Sequence, residues 1–164
     1  MSKSVIIFRH GKSDWDAAFD CDHNRPVSKR GKKDAKKMGK YLNRIEQDPD
    51  LTISSTALRA RDTAKLAMEY GKWNNNIIYE SKIYGGSAEV ILQIISQQNS
   101  KYNNICVVGH EPILSSFIAK CNNSPPLKFP TASMARIDFE INNWNHINFQ
   151  FGNLVWLLKP KEID

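Results

Sequence analysis

No stretch of this chain approaches the roughly 18 consecutive apolar residues that a membrane span requires. Its amino terminus lacks the apolar core of a secretory signal. Cysteine is scarce: Cys21, Cys106 and Cys121 make an odd count at spacings that fit no zinc site. Reduced thiols are the simple reading. Cys106 and Cys121 sit in apolar patterns as small core residues, and Cys21 lies in a polar loop with no adjacent base to activate it. Repeats, low-complexity runs and linker-like segments are also missing. These absences predict one cytoplasmic domain spanning residues 1–164, long enough to bury a substantial core.

What is present is positive charge. The formal net charge is +6 and the pI about 9.2. The cations concentrate between Lys29 and Lys40, on an amphipathic helical pattern. A solvated helix face explains such a run most simply, and attraction of an acidic or phosphorylated partner is the other reading. No nucleic-acid-binding motif accompanies it.

Val5-Ile6-Ile7-Phe8 reads as a strand buried on both faces, and it runs straight into Arg9-His10-Gly11. The loop 12–27 then carries Asp14, Asp16, Asp20, Asp22 and His23. It lacks the glycine and closing glutamate of an EF-hand, so the carboxylates are expected to pair with arginines, Arg9 and Arg25 included. Trp15 and Phe19 are expected to anchor this loop on the core. Ser28 caps a helix with apolar or small residues at Ala35, Met38, Leu42 and Ile45. Leu51-Thr52-Ile53-Ser54 is a second buried strand, followed by a serine/threonine cap at Ser55-Thr56 and a helix that ends on Gly71 as its C-cap. A third short strand at Ile77-Ile78-Tyr79 precedes a helix capped by Ser87. Ile105-Cys106-Val107-Val108 forms another buried strand, leading into Gly109-His110-Glu111-Pro112 and a further helix. Residues 134–141 alternate apolar and polar as an edge or half-exposed strand would. Residues 146–158 give a last strand or strand pair, with hairpin signals at Asn142 and Asn143. The alternation of strands and helices predicts an α/β fold, a single three-layer α/β/α domain with a mostly parallel central sheet.

In a parallel sheet the carboxyl ends of the strands share one edge, where ligands bind. That edge receives Arg9 and His10 from the first strand, Arg59 from the turn after the second, and His110 from the fourth. Two guanidinium groups and two imidazoles suit a phosphoryl group, and no carboxylate or thiolate set suggests a metal.

Taken together, Arg9-His10-Gly11-Lys12-Ser13-Asp14-Trp15, Asp22-His23-Asn24-Arg25-Pro26-Val27-Ser28, the Ser-x-x-x-Arg-Ala-x-x-Thr pattern from Ser55 to Thr63, residues 84–89, residues 108–112 and Phe129-Pro130-Thr131 resemble the histidine phosphatase superfamily. More narrowly, the chain is similar to small SixA-type phosphohistidine phosphatases of the phosphoglycerate mutase-like fold. The resemblance implies that His10 is a nucleophile that becomes phosphorylated, with Arg9, Arg59 and His110 as a phosphate clamp. Lys12 and Ser13 become substrate-binding candidates and Glu89 a possible general acid. Arg61 falls off the pattern and is assigned to structure, while His23 and His146 receive no role. Without a donor acid, a phosphoramidate makes a better leaving group than an ester. The expectation is therefore a metal-independent, cofactor-free, monomeric phosphatase acting on phosphohistidine in a partner protein. A phosphomonoesterase for small molecules or phosphoproteins is the alternative within the superfamily, and a phosphate-binding adaptor without turnover the alternative outside it. Neither nucleic acid nor membrane is an expected partner.

Overall fold

The computed structural model describes residues 2–164. Six strands form one sheet: β1 (Lys3–Arg9), β2 (Leu51–Ser54), β3 (Asn76–Tyr79), β4 (Asn104–Gly109), β5 (Met134–Phe139) and β6 (Gly152–Leu158). Four helices connect them: α1 (Lys29–Arg44), α2 (Leu58–Gly71), α3 (Ala88–Ser96) and α4 (Ile113–Asn122). The sheet order is β3-β2-β4-β1-β5-β6. The first four are parallel to one another, and β5 runs antiparallel to both of its neighbours. Among the described residues no helix is long and apolar enough to cross a membrane.

The period-two alternation of β1 splits its side chains between two cores. Ile6 and Phe8 pack with Met38, Leu42, Ala60, Ala64 and Ala67 beneath α1 and α2. Val5 and Ile7 pack with Ile91, Ile95, Leu114 and Phe117 beneath α3 and α4. The result is the expected three layers, α1 and α2 on one face and α3 and α4 on the other.

Four details differ from the sequence reading. Residues 134–139 are interior, because β6 covers their outer edge. Their polar members are satisfied within the sheet: Arg136 Nε donates to Asp138 at 2.8 Å, and Ser4 Oγ donates to the same carboxylate at 2.9 Å. Second, β6 is a single strand, reached through short 3-10 turns rather than a hairpin. Third, Trp15 is 68% exposed and is not a core anchor. It stacks instead on the Arg25 guanidinium, 3.7 Å from ring centroid to Cζ, with Phe19 against its edge. Fourth, the left-handed C-cap of α2 is Lys72, not Gly71.

Gly71 serves a different purpose. A Cβ placed there would lie 2.3 Å from the Gly39 carbonyl oxygen, and one on Gly39 would lie 2.2 Å from that of Ala67. The glycines let the backbones of α1 and α2 touch. Helix propensity alone would make Gly39→Ala stabilising by about 1 kcal/mol. The backbone overlap outweighs it. Gly39→Ala should cost about 1–3 kcal/mol net and lower the urea midpoint of unfolding; a raised midpoint would contradict this packing.

Candidate active site

The paired registers of β1 and β4 set the site. Arg9 aligns with Gly109, so the residues that follow, His10 and His110, emerge side by side. Their rings lie 5.2 Å apart, centroid to centroid, and both are buried. On the other side of β4, Ser54 aligns with Val108, which carries Ser55 to His110. The Ser55 hydroxyl and His110 Nε2 are 2.8 Å apart.

The contact at His10 fixes its tautomer. His10 Nδ1 is 2.7 Å from the Gly11 carbonyl, which can only accept, so the proton sits on Nδ1. Nε2 of His10 keeps its lone pair and makes no hydrogen bond to the described residues. Ser55 Oγ already accepts from the Ala57 amide at 3.2 Å. His110 Nε2 and the Ser55 hydroxyl thus share a hydrogen bond, and His110 Nδ1 is buried without a protein partner.

The Ser-x-x-x-Arg-Ala-x-x-Thr pattern has a physical reading residue by residue. Ser55 orients His110 rather than capping α2, whose N-cap is Ala57. Arg59 enters the site from the first turn, and Ala60 is small enough to pack against the core. Thr63 accepts from the Gly11 amide at 2.9 Å and donates to the Arg59 carbonyl at 2.7 Å, which ties the His10 loop to α2. Arg61 instead lies over the Tyr79 ring.

Arg9 donates through Nη1 to the Phe129 carbonyl at 3.0 Å. It does not pair with the acidic loop, as the sequence reading expected. Asp22 is the acidic residue that enters the site. It binds Arg59 through its carbonyl at 2.8 Å and its carboxylate at 3.1 Å, pairs with Arg25, and accepts from the Tyr84 hydroxyl at 2.7 Å. The Tyr84 hydrogen bond, then the Arg59 and Arg25 charges, hold Asp22 below the ordinary carboxylate range. Tyr84 also packs edge-on against His110 and His23. Asp22, Arg25 and Tyr84 were quoted in motifs but given no site role from sequence; Asp-x-x-Arg was the one signal available.

Other candidates sit further out. Ser13 is buried and paired with Val27 in an isolated bridge. Lys12 is exposed at the rim, its carbonyl bound to Ser28 at the start of α1. Glu89, in the first turn of α3, is 60% exposed and pairs with Lys120 at 3.3 Å; no hydrogen bond or ion pair joins it to the histidines or arginines.

The electrostatics follow from burial amid cations. Desolvation, aided by Arg59, Arg9 and Arg25, pushes His10 down to about 4. Desolvation, with His10 and Arg59, pushes His110 down to about 3. Both rings are neutral at pH 7. Nε of Arg9, Arg25 and Arg59 and Nδ1 of His110 are all buried and unpartnered. Such groups are rare in folded proteins. With the Arg59, Arg9 and Arg25 charges acting on His10 and its Nε2 unprotonated, the site suits a tetrahedral oxyanion.

Known proteins resemble this chain in sequence and in fold. The model for the histidine phosphatase superfamily (branch 1) matches residues 5–82, a span holding Arg9, His10, Arg25 and Arg59. An uncharacterized chloroplastic protein of Arabidopsis thaliana is 29% identical over 97% of this chain and 77% of its own. The protein histidine phosphatase SixA, solved with tungstate, superposes with a TM-score of 0.82 at 21% identity, covering 97% of this chain and 98% of the other. A chain of Agrobacterium tumefaciens provisionally assigned as phosphohistidine phosphatase SixA gives 0.80 at 24% identity, covering 96% and 98%. The chain has the phosphoglycerate mutase-like fold of these structures, and its first half is similar to the histidine phosphatase superfamily.

Neutral burial predicts a pH dependence. The unfolded chain protonates these imidazoles near 6.5, while the folded chain resists until about 4 or below. Below pH 6.5 the unfolded state therefore binds more protons, and stability falls as pH drops towards 4. Each ring contributes on the order of 3 kcal/mol to that loss. Urea midpoints measured from pH 7 to 4 should fall steeply in the wild type and less steeply in His10→Asn; equal slopes would refute the neutral assignment.

Proposed function

We propose that the protein hydrolyses phosphohistidine on a partner protein through a phosphorylated His10 intermediate. The observation that carries this reading is the free Nε2 of His10 beside buried, unpartnered arginine donors, with the nearby carboxylates engaged: Asp22 by Tyr84 and two arginines, Glu111 by the Ser115 amide and Glu89 by Lys120.

His10 Nε2 attacks phosphorus in line with the leaving nitrogen. The new P–Nε2 bond forms as the substrate P–N bond breaks, and the departing electron pair stays on the substrate imidazole. With that ring protonated on its other nitrogen beforehand, it leaves neutral and needs no acid from the enzyme. Arg9 and Arg59 hold the equatorial oxygens as rigid forks, and His110 supplies a further donor. Ser13 and Lys12 line the approach. Water then attacks phosphorus, the P–Nε2 bond breaks, and phosphate is released with His10 restored.

The absence of an available acid separates this substrate from an ester, whose alkoxide needs a proton as it leaves. Asp22 is held ionised by Tyr84 and two arginines, and Glu89 is spent on Lys120. The tungstate bound by the SixA structure, a tetrahedral oxyanion, is in keeping with a phosphate-shaped site.

Phosphate release from a phosphohistidine protein and from an aryl phosphate, compared in EDTA, tests the proposal. Phosphohistidine should turn over faster, His10→Ala should abolish release, and Arg59→Ala should lower kcat by about 10²–10³-fold. Glu89→Gln should stay within about twofold of wild type, the usual range for a surface group outside the chemistry. Faster ester turnover, lost in Glu89→Gln, would transfer the assignment to a phosphomonoesterase with Glu89 as its acid.

A further inference from the structure

Helix α1 breaks the rules that stabilise helices. It carries eight cations and one anion, Asp34, while the whole chain carries a net +6. The remaining residues together are thus slightly acidic, and the protein's positive charge is the charge of one helix. Lys29 and Arg30 stand at its amino end, where the helix dipole opposes them, and its first turn holds no acidic residue. Lys29–Lys33, Lys32–Lys36, Lys33–Lys37, Lys36–Lys40 and Lys40–Arg44 are like-charged pairs at i,i+4, each costing about 0.2–0.5 kcal/mol. Among the described residues the one ion pair on this helix is a loose 3.8 Å contact between Arg30 and Asp34. Local rules broken without compensation mark functional surface.

The position of the helix connects it to the site. Gly31 packs against Gly11, next to His10, and the Lys12 carbonyl accepts from Ser28. From there the helix extends about 24 Å, sixteen residues at about 1.5 Å each. Beside its first turns is a cleft of about 400 Å³, where Lys128, Lys159 and Lys161 join Arg30 and Lys37. Lys128 precedes Phe129, whose carbonyl holds Arg9. Asp164 borders the ridge at the chain's end.

Resting on the phosphohistidine reading above, we infer that the outer face of α1 and the adjoining lysine cleft form a docking ridge for an acidic segment of the phosphorylated partner protein. About seven extended residues, at roughly 3.4 Å each, would span it. Nucleic acid fits less well, because the ridge's aromatic rings are not free for stacking: Lys36 and Lys40 cover Tyr70, and Arg44 covers Tyr41. A membrane surface fits less well because the apolar side of α1, at Ala35, Met38 and Leu42, is fully buried in the core.

The test uses two phosphohistidine peptides that differ only in a seven-residue tail, glutamate-rich or glutamine-rich. At low salt the acidic tail should raise kcat/KM at least tenfold, and the advantage should vanish in 0.5 M NaCl and in K33E/K36E/K40E. That variant should hydrolyse free phosphohistidine like the wild type and, relieved of repulsion, unfold at a higher temperature. K33Q/K36Q/K40Q is the milder check on folding. Equal kcat/KM for the two tails would overturn the inference. Sub-micromolar binding of a DNA duplex at 0.15 M NaCl, with no preference between tails, would reassign the ridge to nucleic acid; binding to phosphatidylserine vesicles on the same terms would reassign it to membranes. If phosphohistidine is not hydrolysed at all, the substrate reading has failed. The same two tails on a phosphotyrosine peptide then judge the ridge independently.

Discussion

Two imidazoles 5.2 Å apart within reach of three guanidinium groups can coexist in a buried site only if both rings are neutral. That constraint governs the architecture around them. Strands β1 and β4, buried on both faces, remove the rings from water. The Gly11 carbonyl then decides which nitrogen of His10 carries its proton, and the Ser55 hydroxyl orients His110. The Asp22 carboxylate pairs with Arg59 and Arg25, and Tyr84 in turn keeps Asp22 ionised. Cation, anion and neutral base are thus held in one network, with donor nitrogens left over for an oxyanion.

The sequence was most legible where structure is local. Runs of β-branched residues ending in Arg9-His10 or Gly109-His110 announced both strands and their shared edge, and Ser28 and Ser87 cap their helices as their spacing predicts. It was least legible where a residue's partner is distant. Asp22 reaches Arg59 and Tyr84 across long stretches of chain, and nothing near it records that it will leave its acidic loop. Alternation in β5 suggested an exposed edge because Arg136 and Asp138 satisfy each other inside the sheet. Trp15 escaped burial because a guanidinium covers its face. Ser55 looked like a helix cap, but its hydroxyl is claimed by a histidine from another strand.

Helix α1 has two faces with different tasks. Its inner side, through Gly31 and Gly39, brings backbone directly onto the His10 loop and onto α2, where any side chain would force a gap. Its outer side carries charge that contributes nothing to that packing. The same helix can therefore vary in surface charge without disturbing the loop it supports.

The central placement of β1 also bears on how the molecule comes into being. Ser4 pairs with Asn104 on one side and with Asp138 on the other, so both edges of β1 are closed only by segments far along the chain. Contacts so distant in sequence make folding slow. A nascent chain ending before residue 134 already contains Arg9, His10, Arg59 and His110, yet leaves one side of β1 unpaired and exposed to association with other chains. The sheet edge that presents His10 and His110 is thus complete only once the antiparallel β5 has closed over β1.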